Sequence, residues 1–139
     1  MDDPLSSLVA RALPVLRAAP LRLAVLFGSA ARGRLRPDSD LDIGFLPTRD
    51  LPLADELALQ ASLERATGRT VDLVDLDRAD VLLRFEIARY GRVLVSEPAS
   101  EATRFVAVAG IEHAELAPLI ADAAERYRRR LATVSGAAS

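Results

Sequence analysis

Gly28-Ser29 is followed, after a ten-residue spacer, by Asp40-Leu41-Asp42. Apolar residues adjoin each half, Leu23 to Phe27 before the glycine and Ile43 to Leu46 after the second aspartate, so both halves read as ends of buried strands. Residues i and i+2 of a strand share a face, which puts Asp40 and Asp42 on one side, roughly 6.5 to 7 Å apart at Cα. Leu41 and Ile43 then point to the core. Two like charges so placed repel by about 3 kcal/mol at 5 Å with an effective dielectric near 20. Such a pair calls for a cation, and carboxylate oxygens suit Mg²⁺ or Mn²⁺.

Magnesium favours one or two carboxylates together with water and nucleotide phosphates over an all-protein cage. Gly28 and Ser29 can supply the phosphate half: glycine lets the backbone approach closely, and a serine hydroxyl with the N–H groups of a turn can hold oxygens. A two-metal in-line displacement needs a third carboxylate. Val71-Asp72-Leu73-Val74-Asp75 offers two, three positions apart and therefore on opposite faces of a strand. Asp75 lies beside the strand end and Asp77, where aspartates serve turns and caps. Asp72 is flanked by β-branched and aliphatic residues, where a carboxylate is costly without a partner, and is the preferred candidate.

The elements that must carry these residues alternate. A helix is predicted from Pro4 to Ala18, with Pro14 kinking it or marking a break. Strands follow at Leu21–Phe27 and Leu41–Leu46, separated by the tight turn Gly28–Gly33, with a possible helical start, and a loop over Arg34–Ser39. Asp50 and Pro52 open a helix over about Leu53–Ala66 that Gly68 closes. A third strand runs through Thr70–Leu76. Asp77, with Asp80 three residues on, resembles the N-cap of a helix over Arg78–Tyr90, and Gly91 stands where a left-handed C-cap belongs. A fourth strand covers Arg92–Ser96. Two helical segments follow Pro98, one with Phe105 and Val108, the next with Leu116, Leu119, Ile120, Ala123, Tyr127 and Leu131, and the tail after Thr133 is expected to fray. The fold class is α/β, a small central sheet with helices packed on it.

Composition removes rival chemistries. The 139 residues include no cysteine, one histidine (His113) and no lysine. Thiol nucleophiles, zinc fingers, Schiff-base lysines and the Walker lysine are thereby excluded. A net charge of −2 gives no support to broad nucleic-acid binding, so direct nucleic-acid contact is not expected. No apolar run approaches the roughly 18 residues of a membrane span. The acidic start Met1-Asp2-Asp3-Pro4 lacks the pattern of a signal peptide, so the expected compartment is the cytoplasm. The length fits one domain, residues 1–139, with a catalytic core over about 21–96 and a helical segment over about 100–133.

The series Gly28-Ser29-Ala30-Ala31-Arg32-Gly33, Pro37 to Asp42, Val71 to Leu76 and Leu82-Leu83-Arg84-Phe85-Glu86-Ile87 resembles the DNA polymerase beta-like nucleotidyltransferase superfamily. Within it, the chain is similar to the minimal nucleotidyltransferase antitoxins of HEPN/MNT toxin–antitoxin pairs over roughly Leu21 to Val95. The resemblance implies a small mixed sheet flanked by helices, with C-terminal helices. It implies transfer of AMP from ATP, with Mg²⁺, to a tyrosine of a partner HEPN ribonuclease toxin. Carried over, Asp40 and Asp42 are metal ligands, Asp72 is the third catalytic and metal-binding carboxylate, and Gly28 and Ser29 contact the triphosphate. Arg32 and Ser39 complete the candidate ATP-binding set.

Other readings stand beside these. Asp38 and Ser39 also suit a turn, and Arg32, Arg34 and Arg36 also suit a solvated loop. Arg84 and Glu86 sit in a largely apolar helix, so at least one needs a partner. His113 reads as a surface or capping residue near a helix start. Arg126 and Arg128 to Arg130 suit the end of a helix dipole, and Tyr127 suits packing. Two rival functions remain: a nucleotidyltransferase acting on a small molecule, as in aminoglycoside-modifying relatives that generally carry an extra domain, and a non-catalytic antitoxin. The latter predicts loss of a catalytic carboxylate, and all three are present.

Overall fold

The computed structural model describes residues 3–137. A helix α1 (Pro4–Ala18) leads into β1 (Leu21–Phe27), a single turn α2 (Gly28–Ala31), β2 (Leu41–Pro47), α3 (Leu53–Thr67), β3 (Val71–Asp75), α4 (Val81–Tyr90), β4 (Arg92–Ser96) and α5 (Ser100–Ala137). The four strands form one sheet in the order β3-β2-β1-β4. β1 is antiparallel to both β2 and β4, whereas β2 and β3 run parallel through α3, giving the mixed sheet.

Alternation along the strands sorts two apolar layers. Leu41, Ile43 and Phe45 of β2 pack with Leu8, Ala12 and Leu16 of α1 and Leu59 and Leu63 of α3. On the other face Leu23, Val25, Leu46 and Leu76 meet Ile87 of α4 and Phe105 of α5. The edge strand β3 is sealed by α3: Gln60 Nε2 donates to the Val71 carbonyl at 2.8 Å, and Glu64 Oε2 accepts from the Val71 N–H at 3.0 Å. Arg22 ties the far end of the sheet together, pairing with Glu101 at 2.9 Å and donating to the Pro47 carbonyl.

Several expectations are corrected. Pro14 does not break the helix: α1 is one helix from Pro4 to Ala18, with Pro14 and Ala10 both exposed, where a carbonyl without its N–H partner is least costly. The two helical segments after Pro98 are likewise one 38-residue helix, with Pro118 on its exposed side. It continues past Thr133 to Ala137, and the last two residues of the expected frayed tail lie outside the described residues. His113 is therefore well inside α5, stacked on Phe85 with ring centroids 3.7 Å apart.

The helix expected from Arg78 begins at Val81, and its N-cap is Asp80, whose Oδ1 accepts from the Leu83 N–H at 2.8 Å. Asp77 instead belongs to a turn closed by Asp75, whose Oδ1 accepts the Asp77 N–H at 2.9 Å. Gly91 is not left-handed: it is extended (φ −73°, ψ 158°), and glycine is required because a Cβ there would strike the Ile87 carbonyl and Val25 Cγ1. Gly68 does close α3 in the left-handed region, at φ +70°. No helix among the described residues is long and apolar enough to cross a membrane.

Candidate active site

The end of β1, the start of β2 and the start of β3 converge at one end of the sheet. Phe27 is paired with Asp42, which puts the Gly28-Ser29 turn beside that aspartate. Asp42 is in turn paired with Asp72 in the parallel ladder between β2 and β3. Strand alternation puts Asp42 and Asp72 on the face of α4 and α5, opposite the Leu41 and Ile43 layer, and Asp40, just before β2, is close enough for its charge to act on Asp42. Asp75 is paired with Phe45 and falls on the other face. Its carboxylate serves the turn to Asp77 and pairs with Arg78 at 3.6 Å.

Asp72 is exposed, so the desolvation that its apolar neighbours suggested is absent. What distinguishes it from Asp75 is strand register: a parallel neighbour at the same level as Asp42 cannot be read from flanking residues. Asp42 is the half-buried member of the cluster, with its carboxyl pushed above the usual aspartate range. Burial is the first cause, followed by the charges of Asp72 and Asp40 and a hydrogen bond with Asp72.

Gly28 has φ +74°, a left-handed conformation that disfavours any side chain, and a Cβ at this position would overlap Asp42 Oδ2. The glycine thus admits the carboxylate as well as forming the turn. Ser29 is exposed at the head of α2, and its carbonyl accepts from the Arg32 and Arg34 N–H groups at 3.2 and 2.9 Å.

The loop that delivers Asp40 is held on both sides. Ser39 Oγ accepts from the Arg36 N–H at 2.8 Å, so its hydroxyl is engaged in the turn. Arg69 Nη1 donates to the carbonyls of Arg36 and Ser39, at 2.6 and 3.0 Å. Arg69 was not visible as part of the site in the sequence; its place directly after the helix-closing Gly68 and before β3 is the available signal. Arg32 pairs with Glu86 at 3.1 Å, and Arg84 pairs with Glu112 at 3.1 Å, so Arg84 and Glu86 of α4 each have a partner.

Three aspartates with oxygen donors only, one of them resisting ionisation beside two others, fit a hard divalent cation in donor type and in charge. As the side chains stand, no group of three or more His, Asp or Glu among the described residues is arranged to hold a metal ion. Two carboxylates completed by phosphate oxygens are what magnesium prefers, and this donor set fits that arrangement. A cavity of about 620 Å³ between α1 and α3 is lined by residues such as Val15, Leu51 and Leu59 and by none of the aspartates or the Gly-Ser pair. The acidic cluster lies instead at the surface, where a large reactant can reach it.

Residues 15–100 match the family model described as polymerase beta, nucleotidyltransferase. The protein adenylyltransferase MntA of Aphanizomenon flos-aquae (strain 2012/KM1/D3) is 30% identical over 95 residues, covering 61% of this chain and 63% of that protein. The matched region thus spans less than two thirds of that relative. A chain in the crystal structure of a toxin–antitoxin with AMP-PNP superposes with a TM-score of 0.65 at 28% identity, over 83% of this chain and 97% of that one. Another, in the complex of a tri-AMPylated Shewanella oneidensis HEPN toxin with MNT antitoxin, gives a TM-score of 0.62 at 25% identity, over 86% and 98%. The family match covers well over half of the chain and contains the Gly-Ser turn and all three aspartates, so the chain belongs to the polymerase beta nucleotidyltransferase family.

Proposed function

We propose that this chain is a Mg²⁺-dependent nucleotidyltransferase antitoxin, which transfers AMP from ATP to a tyrosine of a partner HEPN ribonuclease toxin in the cytoplasm and so neutralises it. The observation that carries the reading is the register that sets Asp72 opposite Asp42, beside the Gly28-Ser29 turn. The similar proteins support the same chemistry, one being named a protein adenylyltransferase and another standing in complex with an AMPylated toxin.

In this reading the Gly28-Ser29 turn and Arg32 hold the triphosphate, with Ser39 securing the loop behind Asp40. Asp40 and Asp42 would hold magnesium, with Asp72 completing the acidic set, and the bound ion would neutralise charge on the phosphates. The acceptor oxygen bonds to the α-phosphorus, the α–β bridge breaks, pyrophosphate leaves, and the hydroxyl proton passes to a carboxylate of the cluster. A protein acceptor is supported by α5, whose distal part exposes Leu119, Ile120, Tyr127, Leu131 and Val134. A series of large apolar side chains on one exposed helix suits a macromolecular partner better than a small substrate.

The test is incubation with ATP labelled at the α-phosphate, Mg²⁺ and the product of the adjacent gene as candidate partner, followed by mass spectrometry of that partner. One or more AMP adducts on a tyrosine are expected. A tight complex without label would favour neutralisation by binding alone.

A further inference from the structure

Arg32 of the Gly28–Gly33 turn is gripped through its side chain by α4. Glu86 Oε1 accepts from Arg32 Nη2 at 3.1 Å, and the guanidinium carbon lies 4.3 Å from the centroid of the Tyr90 ring. Glu86 and Tyr90 are four residues apart on one helix and therefore neighbours on its surface. One holds the edge of the guanidinium and the other covers its face. The backbone of Arg32 is equally fixed, since its N–H donates to the Ser29 carbonyl at 3.2 Å. Among the described residues, Nη2 is the atom of this guanidinium with a protein acceptor, leaving Nε and Nη1 for another anion.

The energetics favour a positioning role over a stabilising one. Glu86 is 59% exposed, and ion pairs at such positions add little to stability. A free arginine side chain carries rotamer entropy that a phosphate contact would otherwise have to overcome. Holding Arg32 in advance lowers that cost, and the arginine sits within one turn of Ser29.

We infer that Glu86, assisted by Tyr90, is a positioning residue for the nucleotide: it orders Arg32 so that the free nitrogens of the guanidinium meet phosphate oxygens of a nucleoside triphosphate on the Gly28-Ser29 turn. This rests on the nucleotide-site reading above, and it does not require that AMP be transferred.

The test is calorimetric titration of the chain alone with Mg–ATP, without any acceptor, for wild type, Glu86→Gln, Arg32→Ala and the double variant, with a thermal melt of each. Glu86→Gln is expected to weaken binding about 5-fold while leaving the melt unchanged, in keeping with the side-chain ordering it removes. Arg32→Ala is expected to weaken binding at least as much, and the double variant to match Arg32→Ala, because Glu86 acts through the arginine. Tyr90→Leu should shift affinity in the same direction. Wild-type affinity in Glu86→Gln, an undiminished Glu86 effect in the Arg32→Ala background, or no ATP binding by the wild type would each overturn the inference. A wild-type chain that binds ATP but leaves its partner unlabelled would count against the transfer reading alone.

Discussion

Asp42 Oδ2 occupies the space that a side chain on residue 28 would need, so Gly28 and Asp42 are complementary parts of one site. The left-handed φ of +74° adds a second demand for glycine at the same place. Gly28→Ala should therefore act twice, through backbone strain of about 1 to 2 kcal/mol and through displacement of the carboxylate. We expect a folded protein with a lowered Tm and nucleotidyl transfer reduced by about 100-fold or more, the scale of losing a positioned catalytic group. Ordinary transfer by a stable Gly28→Ala variant would show that the contact is incidental.

Asp42 also gives the metal-free protein a pH dependence of defined sign. Its carboxyl is held above the ordinary 3.8, first by burial and then by Asp72 and Asp40. Between 3.8 and the raised value the native state binds more protons than the unfolded chain, so this group's contribution to stability is present in acid and is lost as pH rises through the window. Metal-free Asp42→Asn should consequently melt above wild type at neutral pH. Added Mg²⁺ should raise the Tm of wild type and change that of Asp42→Asn little. Melting curves with EDTA and with Mg²⁺ read both effects, and a destabilised Asp42→Asn would contradict them.

Asp72 and Asp75 separate cleanly because they face opposite sides of the sheet. Asp72→Asn should lower transfer by about 100-fold or more. Asp75→Asn retains an oxygen for the Asp77 N–H and loses only the pairing with Arg78, which is 79% exposed, so activity should persist and stability should change by less than about 0.5 kcal/mol. Kinetic assay of the two variants decides, and full activity in Asp72→Asn would move the third carboxylate elsewhere.

The exposed stripe on α5 makes a separate claim. Tyr127 and Leu131 are 61% and 49% exposed, so Tyr127→Asp and Leu131→Asp should leave the fold of the chain and its ATP affinity intact. Each should weaken association with the proposed toxin partner by about 10-fold or more, as for an apolar interface residue replaced by a charge. Calorimetric titration with the partner measures this. Unchanged affinity in both would assign the partner to another surface.

Local signals in the chain were sufficient for most of the elements. The apolar runs Leu21–Phe27 and Leu41–Leu46 and the turn at Gly28 predict the two central strands because burial, period and punctuation agree there. The errors fall where local sequence is indifferent to tertiary context. The text after Pro98 reads as two helical segments, yet it forms one helix that carries Pro118 on its exposed side. Gly91 reads as a left-handed cap, whereas close packing against Val25 requires it. The candidate site follows the same division. Asp40 and Asp42 share a face by strand period alone, but the level of Asp72 depends on a parallel register that only α3 and the assembled sheet set. Arg69 and Glu86 act on the loop and on Arg32 from 30 or more residues away, beyond any local pattern.

The central claim, AMP transfer by the acidic cluster onto a partner protein, is tested most directly by the intact mass of that partner. The candidate partner is incubated with ATP and Mg²⁺ and either the wild-type chain or Asp40→Ala/Asp42→Ala. With wild type the partner should gain the mass of one or more AMP groups, and with the folded double variant it should gain none. Equal labelling by both proteins would contradict the assignment of the chemistry to Asp40 and Asp42.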